Sequence, residues 1–288
     1  MMRDEPPIPF NRPFATGQEH GLITEAILAA HLSADGRFTE RARRWLEERT
    51  GTHAALLVHS ATGALELAAM VAGIGPGDEV IMPSYTFVST ANAVALRGAT
   101  PVFVDIRPDT LNIDEALVED AVGPATKAVV AVHYAGVACA IERLRAITAR
   151  SGILLIEDAA QGVMASSSGK ALGTFGAVGA LSFHETKNVT CGEGGALLVN
   201  DPKLVRAAEI VRQKGTDRID MLEGRAGYYT WLEIGSSFAL SELAAAFLWA
   251  QLQSADEITA RRMAVWEAYH RAFAGMEQDG LLRRPVIP

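Results

Sequence analysis

Cysteine is nearly absent from this sequence: Cys139 and Cys191 are the only two in 288 residues. Two such thiols build neither a disulfide framework nor a zinc site, so packing must hold the fold, and a reducing compartment suits it. Long apolar runs are also missing. No stretch approaches the ~18 apolar residues of a membrane span. The opening Met1-Met-Arg-Asp-Glu-Pro-Pro7 lacks the apolar core of a signal peptide. The chain therefore reads as cytoplasmic. Positive charge is in deficit, with 26 Lys and Arg against 34 Asp and Glu for a net charge of −8. No Lys/Arg cluster interleaves with aromatics, which argues against non-specific nucleic-acid binding. No internal repeat is visible.

What is present is an ordinary folding composition, 49% hydrophobic and 21% charged, in a length sufficient for one large domain or one and a half. Ile8 to Thr16 is extended and proline-punctuated. Helical spacing follows over Glu19–His31 and Phe38–Arg49, with Thr39 a plausible cap for the second. Strands and helices then alternate. Ala54–Val58, a helix from Gly63, Glu79–Met82, a helix over Val88–Arg97 and Pro101–Val104 have the β-α-β rhythm of a parallel sheet. Leu117–Val122 (helix), Ala128–Val132 (strand), Ala140–Arg150 (helix) and Ile153–Ile156 (strand) continue it. Ala177–Phe183 and Ala196–Val199 lie too close together for a crossover helix, so a hairpin or an antiparallel strand enters there. Asp201 caps a helix to about Lys214, and Gly215–Gly227 reads as an exposed loop leading to Tyr228-Tyr-Thr-Trp231. Two long helices, Leu240–Gln253 and Ala255–Phe273, follow, the second amphipathic with arginines outward. The expected class is α/β with a mostly parallel sheet.

Candidate chemistry centres on Ser182-Phe-His-Glu-Thr-Lys-Asn188 and the glycine-rich Cys191-Gly-Glu-Gly-Gly195. A lysine in a turn of small residues after an apolar strand can hold an aldehyde cofactor as a Schiff base, although most lysines are plain surface residues. Upstream, the buried-strand run Gly152-Ile-Leu-Leu-Ile156 ends in Glu157-Asp158. In an open α/β sheet an acid at a strand's carboxyl end faces the ligand crevice, where Asp158 can pair with a protonated pyridine nitrogen; the alternative is that it caps the next helix. Earlier still, Leu56-Leu-Val-His-Ser-Ala-Thr-Gly63 turns from strand to helix. The free amides at Ala61, Thr62 and Gly63 suit a phosphate, while Ser60 or Thr62 can equally be an ordinary N-cap. Lysine, strand-end Asp and phosphate turn together are much less common than any one alone.

Those motifs, with Glu157-Asp-Ala-Ala-Gln161, Met82-Pro-Ser-Tyr-Thr-Phe-Val-Ser-Thr90 and His133-Tyr-Ala-Gly136, resemble the DegT/StrS-type sugar aminotransferases from about Ile8 to the last residue. The resemblance implies the three-layer α/β/α large domain of the aspartate aminotransferase fold (fold type I) with pyridoxal 5'-phosphate as cofactor. It implies a nucleotide-linked keto sugar and L-glutamate as substrates, and a homodimer with a shared site. Lys187 would bind the cofactor aldehyde and move the proton, and Asp158 would face the pyridine nitrogen. Gln161 would lie near the ring hydroxyl and Phe87 would stack on the ring, although a core Phe is an equal reading. Ala61, Thr62 and Ser182 match phosphate ligands; His184, Tyr134 and Asn188 are possible pocket residues, a structural role being the simpler reading for His184.

Two departures stand out. Ser237, in Gly235-Ser-Ser-Phe-Ala-Leu-Ser241, takes the place of an Asn that many family members donate across the dimer to the phosphate, with a shorter reach. The family also carries a C-terminal small domain beyond the point matching Pro288, largely absent from this sequence. The expected organisation is an arm with helices over 1–50, the cofactor-binding domain over 51–240 and helices leading to that domain over 241–288. A non-catalytic relative that binds cofactor or a partner without turnover is the rival reading. A pyridoxal-dependent sugar dehydratase ranks below it, since those relatives carry histidine where Lys187 stands.

Overall fold

The short apolar runs become the strands of one seven-stranded sheet, and helices cover both its faces. The computed structural model describes residues 8–288. The strands of the main sheet are β1 (Ala54–Val58), β2 (Glu79–Pro83), β3 (Thr100–Val104), β4 (Thr126–Val132), β5 (Leu154–Asp158), β8 (Val178–Ser182) and β9 (Gly195–Val199); β6 (Ser166–Ser167) and β7 (Lys170–Ala171) form a separate small hairpin. The spatial order is β1-β9-β8-β5-β4-β2-β3. β9 is antiparallel to both β1 and β8, whereas β8, β5, β4, β2 and β3 pair in parallel. β1 and β8 thus point the same way, with β9 alone reversed. The antiparallel strand expected near Ala196 is this β9, tied to β8 by the segment that carries Lys187.

Side-chain alternation along the strands splits the core in two. Leu57, Ile81, Val129, Leu155, Leu181 and Leu198 face one side, packed with Phe38, Leu46, Leu144, Ile147 and Leu248. That layer holds α1 (Glu19–Leu28), α2 (Arg37–Thr50), α5 (Glu115–Ala121), α6 (Ile141–Ser151) and α9 (Glu242–Gln253). Leu56, Val58, Val80, Met82, Val130, Ile156 and Leu197 face the other, against α3 (Ala61–Val71), α4 (Val88–Ala95) and α7 (Val205–Arg212). Three layers result. Central strands bury both faces, which is why their sequences read as continuous apolar runs.

Three details differ from the sequence reading. Gly36, not Thr39, occupies the N-cap of α2. Thr39 is buried and donates through its hydroxyl to Glu242 at 2.7 Å, while Glu242 also takes the amides of Phe38 and Thr39 at 3.0 and 2.7 Å. A carboxylate from α9 thus does the capping that a local side chain was expected to do. Within Gly215–Gly227 lies a one-turn helix, α8 (Arg218–Leu222), steadied where Asp220 takes Arg206 and Arg225. In α10 (Ala255–Ala272) only Ala255 and Ile258 are buried, and Met263, Val265, Trp266 and Tyr269 are exposed along with the arginines. Its contact with α9 is confined to the start of the helix. α11 (Ala274–Gln278) and the extended end follow, Arg284 pairing with Glu277 at 2.7 Å and the Val286 amide reaching the Asp109 carbonyl at 3.0 Å.

Candidate active site

The carboxyl ends of the parallel strands open on one side of the sheet, and the turns that follow them wall a cleft of about 380 Å³. Ser60, Ala61 and Thr62 come from the turn after β1, and Thr86, Phe87 and Ser89 from that after β2. His133 and Tyr134 follow β4, Asp158 and Gln161 end β5, and Ser182, His184, Thr186, Lys187, Glu193 and Gly194 come from the β8–β9 connection. Lys187, Asp158, Gln161, Ala61, Thr62, Phe87, Ser182, His184 and Tyr134 therefore share one cavity. Asn188 and Ser237 are not part of its wall: Asn188 accepts Arg262 Nε at 2.7 Å, and Ser237 sits exposed, bridged to Gln213.

At the phosphate-like end, Ser60 caps α3 in extended conformation, its hydroxyl accepting the Gly63 amide at 3.0 Å. The amides of Ala61 and Thr62 open the helix, where N–H groups have no intrahelical partner and the dipole is positive. Thr62 Oγ1 lies 2.7 Å from Ser89 Oγ. β9 seats this turn from below: a Cβ on Gly195 would lie 2.5 Å from the Ser60 carbonyl carbon, so only glycine lets the strand pass. Ser182 is buried, its hydroxyl taking the His184 amide at 3.4 Å. His184 turns to Thr186, with Nδ1 2.9 Å from Oγ1, and its Nε2 stands 3.5 Å from Glu193.

At the other end Asp158 is buried, with Oδ2 accepting Thr90 Oγ1 at 2.8 Å and Oδ1 the Ala160 amide at 3.1 Å. Burial pushes its carboxyl above the usual carboxylate range, opposed by the Thr90 and Ala160 hydrogen bonds and by the Lys187 charge. Burial also lowers the Lys187 ammonium, with Asp158 pulling the other way. An amine biased toward its neutral form is a nucleophile, and a buried carboxylate short of positive charge invites a cation. The Lys187 amide closes its turn on the His184 carbonyl at 2.9 Å. Phe87 is 72% exposed, which settles it as a wall residue rather than a core one. Tyr134 packs on Tyr85 with ring centroids 4.4 Å apart, and Gln161 accepts the Ala135 amide through its side-chain oxygen.

Glu157 behaves otherwise than its neighbour. Strand alternation turns it to the opposite face, where it is fully buried and accepts His133 Nε2 at 2.8 Å and the amides of Gly173, Phe175 and Gly176 at 2.8, 2.6 and 2.6 Å. Since His133 Nδ1 accepts the Cys139 amide at 3.2 Å, its proton is on Nε2 and both ring nitrogens are engaged. Sequence reasoning missed Thr90, Thr86, Ser89 and His133 as site-wall or supporting residues. The available signal was spacing, because Thr86, Ser89 and Thr90 surround Phe87 at the entry to α4.

A cleft with an amine and a buried carboxylate at one end and a helix N-terminus with hydroxyls at the other accommodates an aldehyde-bearing pyridine carrying a phosphate tail. That is the furniture of the pyridoxal-phosphate enzymes, and the donor set fits the cofactor at each of its ends. The chain belongs to the DegT/DnrJ/EryC1/StrS aminotransferase family, whose family model matches residues 15–286. The structure is similar to a Streptococcus pneumoniae protein assigned as a sugar aminotransferase, with TM-score 0.86, 27% identity, and coverage of 93% of this chain and 73% of that one. It is also similar to a Brucella abortus DegT/DnrJ/EryC1/StrS aminotransferase (TM-score 0.85, 31% identity, 94% and 71% covered). A third similar structure is the Helicobacter pylori aminotransferase of pseudoaminic acid biosynthesis (TM-score 0.84, 27% identity, 92% and 70% covered). The S. pneumoniae protein has been solved in PLP and PMP forms, and pyridoxal phosphate is accordingly the cofactor of this site.

Proposed function

We propose that the protein transfers an amino group from L-glutamate to the 4-keto carbon of a nucleotide-linked 6-deoxyhexose. The specific reading is dTDP-4-dehydro-6-deoxy-D-glucose converted to dTDP-4-amino-4,6-dideoxygalactose, following a likeness to the transaminase of enterobacterial common antigen synthesis. The observation that carries transamination is the placing of Lys187 in the same cleft as the buried Asp158, with the phosphate-suited turn of Ala61 and Thr62 in that cleft too. Pyridoxal phosphate, when bound, supplies an aldehyde that accepts the amino group and a ring that withdraws electrons from the carbon being deprotonated.

Lys187 Nζ would hold the cofactor's aldehyde and, when released from it, would serve as the base that carries the proton at the donor carbon. Asp158 would hold the ring nitrogen protonated, Phe87 would stack on the ring, and Gln161 would serve the ring hydroxyl, all three lining the one cleft. The Ala61 and Thr62 amides, with the Thr62 and Ser182 hydroxyls, would bind the phosphate. Tyr134 and His184 line the approach used by the substrates. Asn188, turned to Arg262, has at most an indirect role. A second copy of the chain would bring Ser237 to its neighbour's phosphate, using the surface around Tyr228, Tyr229 and Trp231, which are 79%, 51% and 73% exposed.

The test is the absorbance spectrum of the protein with pyridoxal phosphate, before and after L-glutamate, with borohydride trapping and peptide mapping. A visible band trapped on Lys187 and bleached by glutamate supports the first half of the transfer, and amination of the dTDP-keto sugar by the bleached enzyme supports the second. Trapping on Lys187 without bleaching would instead assign a binding protein without turnover. No label on Lys187 overturns the reading.

A further inference from the structure

Behind Asp158 stands a pair of hydroxyls that leads inward from the cleft wall. Thr90 is 1% exposed and is not part of the cleft wall. Its Oγ1 lies 2.8 Å from Asp158 Oδ2 and 2.8 Å from Thr86 Oγ1. A threonine hydroxyl has one proton, and the carboxylate takes it, so Thr86 must donate to Thr90. The sequence Thr86 to Thr90 to Asp158 therefore runs with one polarity, beginning at the cleft wall and ending on the carboxylate. Each bond in such a chain polarises the next, so Thr86 strengthens the donation that Thr90 makes.

We propose that Thr90, oriented by Thr86, is the positioning residue that fixes the Asp158 carboxylate and keeps it ionised toward the cofactor's ring nitrogen. Two donors on different oxygens, Thr90 on Oδ2 and the Ala160 amide on Oδ1, pin the plane of the carboxyl and leave a lone pair for the cleft. Without Thr90 the Ala160 amide is the one hydrogen bond left, beside the Lys187 charge, against the cost of burial, and the neutral acid gains. A neutral Asp158 cannot hold the ring nitrogen protonated. The inference rests on the reading of Asp158 as partner of that nitrogen.

The experiment loads the wild type, Thr90→Val, Thr90→Ser and Asp158→Asn with pyridoxal phosphate isotope-labelled at the ring nitrogen, and records the nitrogen resonance together with cofactor affinity. Thermal melts of the same proteins without cofactor check folding. Thr90→Val is expected to move the resonance toward the unprotonated pyridine value and to weaken affinity about tenfold, the scale of one hydrogen bond to a charged group. Thr90→Ser, which keeps the hydroxyl, is expected to stay at the wild-type resonance. If Asp158→Asn moves the resonance and Thr90→Val does not, the role of Thr90 is refuted while that of Asp158 stands. If Asp158→Asn itself leaves the resonance unmoved, the Asp158 reading fails first. Should Thr90→Val not accumulate in folded form, Thr90→Ala is read the same way.

Discussion

Glu157 offers the sharpest test of how the site is supported, because one buried carboxylate satisfies four donors. Oε2 takes His133 Nε2 and the Gly173 amide, and Oε1 takes the amides of Phe175 and Gly176. Glu157→Gln keeps the shape but leaves one acceptor oxygen, so whichever way the amide turns, two donors face an NH2. His133 cannot escape by moving its proton to Nδ1, since that would orphan the Cys139 amide. Each unsatisfied buried donor costs about 1–3 kcal/mol, giving roughly 3 kcal/mol for the pair at the lower half of the range. Against a typical total of about 5–15 kcal/mol this is a large loss. At about 2–4 °C per kcal/mol the melting temperature falls by roughly 6–12 °C. The assay is thermal denaturation, with hydrogen exchange at the Phe175 and Gly176 amides to localise the damage and Glu142→Gln on the exposed face of α6 as control. A Glu157→Gln protein melting within about 2 °C of wild type, with those amides still protected, would refute the reasoning.

Glu242→Ala should lower the denaturant midpoint more than Thr39→Val, because the first strands three donors at the start of α2 and the second removes one of them; equal midpoints would deny the cross-chain cap. Gly195→Ala should weaken pyridoxal-phosphate binding measured by titration, since its methyl would lie 2.5 Å from the Ser60 carbonyl carbon and displace the turn that offers the Ala61 and Thr62 amides; unchanged affinity would show the turn to be pliable. Burial lowers Lys187, so its unprotonated fraction, and with it the rate of aldehyde capture, should rise with pH at a midpoint below that of free lysine. Asp158→Asn should lower that midpoint further. The same shift means that the unfolded chain binds more protons between the folded and unfolded lysine values, so Lys187 penalises stability below that window and the penalty is relieved as pH rises through it. A capture midpoint at or above that of free lysine, from stopped-flow absorbance, would contradict the burial.

Much of this architecture was legible because short buried strands leave little freedom in sequence. Ala54–Val58 matches β1 residue for residue, and the close spacing of the last two strands announced the reversed β9. The side on which a residue falls was far less legible. Leu154–Asp158 is apolar on both faces, so the run does not say which of its terminal acids meets the cleft. Phe87 had equal claims to core and site until its exposure was known. Thr90 carries no titratable group and lies inside a helix, where a buried threonine gives no sequence signal distinct from packing. Gly215–Gly227 concealed α8 because a five-residue helix is too short for periodicity to register.

The two adjacent acids at the end of β5 are separated finally by saturation. Glu157 and Asp158 are both buried, but Glu157 has four protein donors on its two oxygens and Asp158 has two. A carboxylate whose lone pairs are all taken by backbone amides and a histidine has nothing left to offer a ligand; its chemistry is to hold the Gly173–Gly176 segment against β5. Asp158 keeps acceptor capacity and faces the cavity, and burial makes its charge costly until a cation arrives. Acidity and position in sequence are shared by the pair, so it is the count of donors, together with the face of the strand, that sorts the structural acid from the one poised for chemistry.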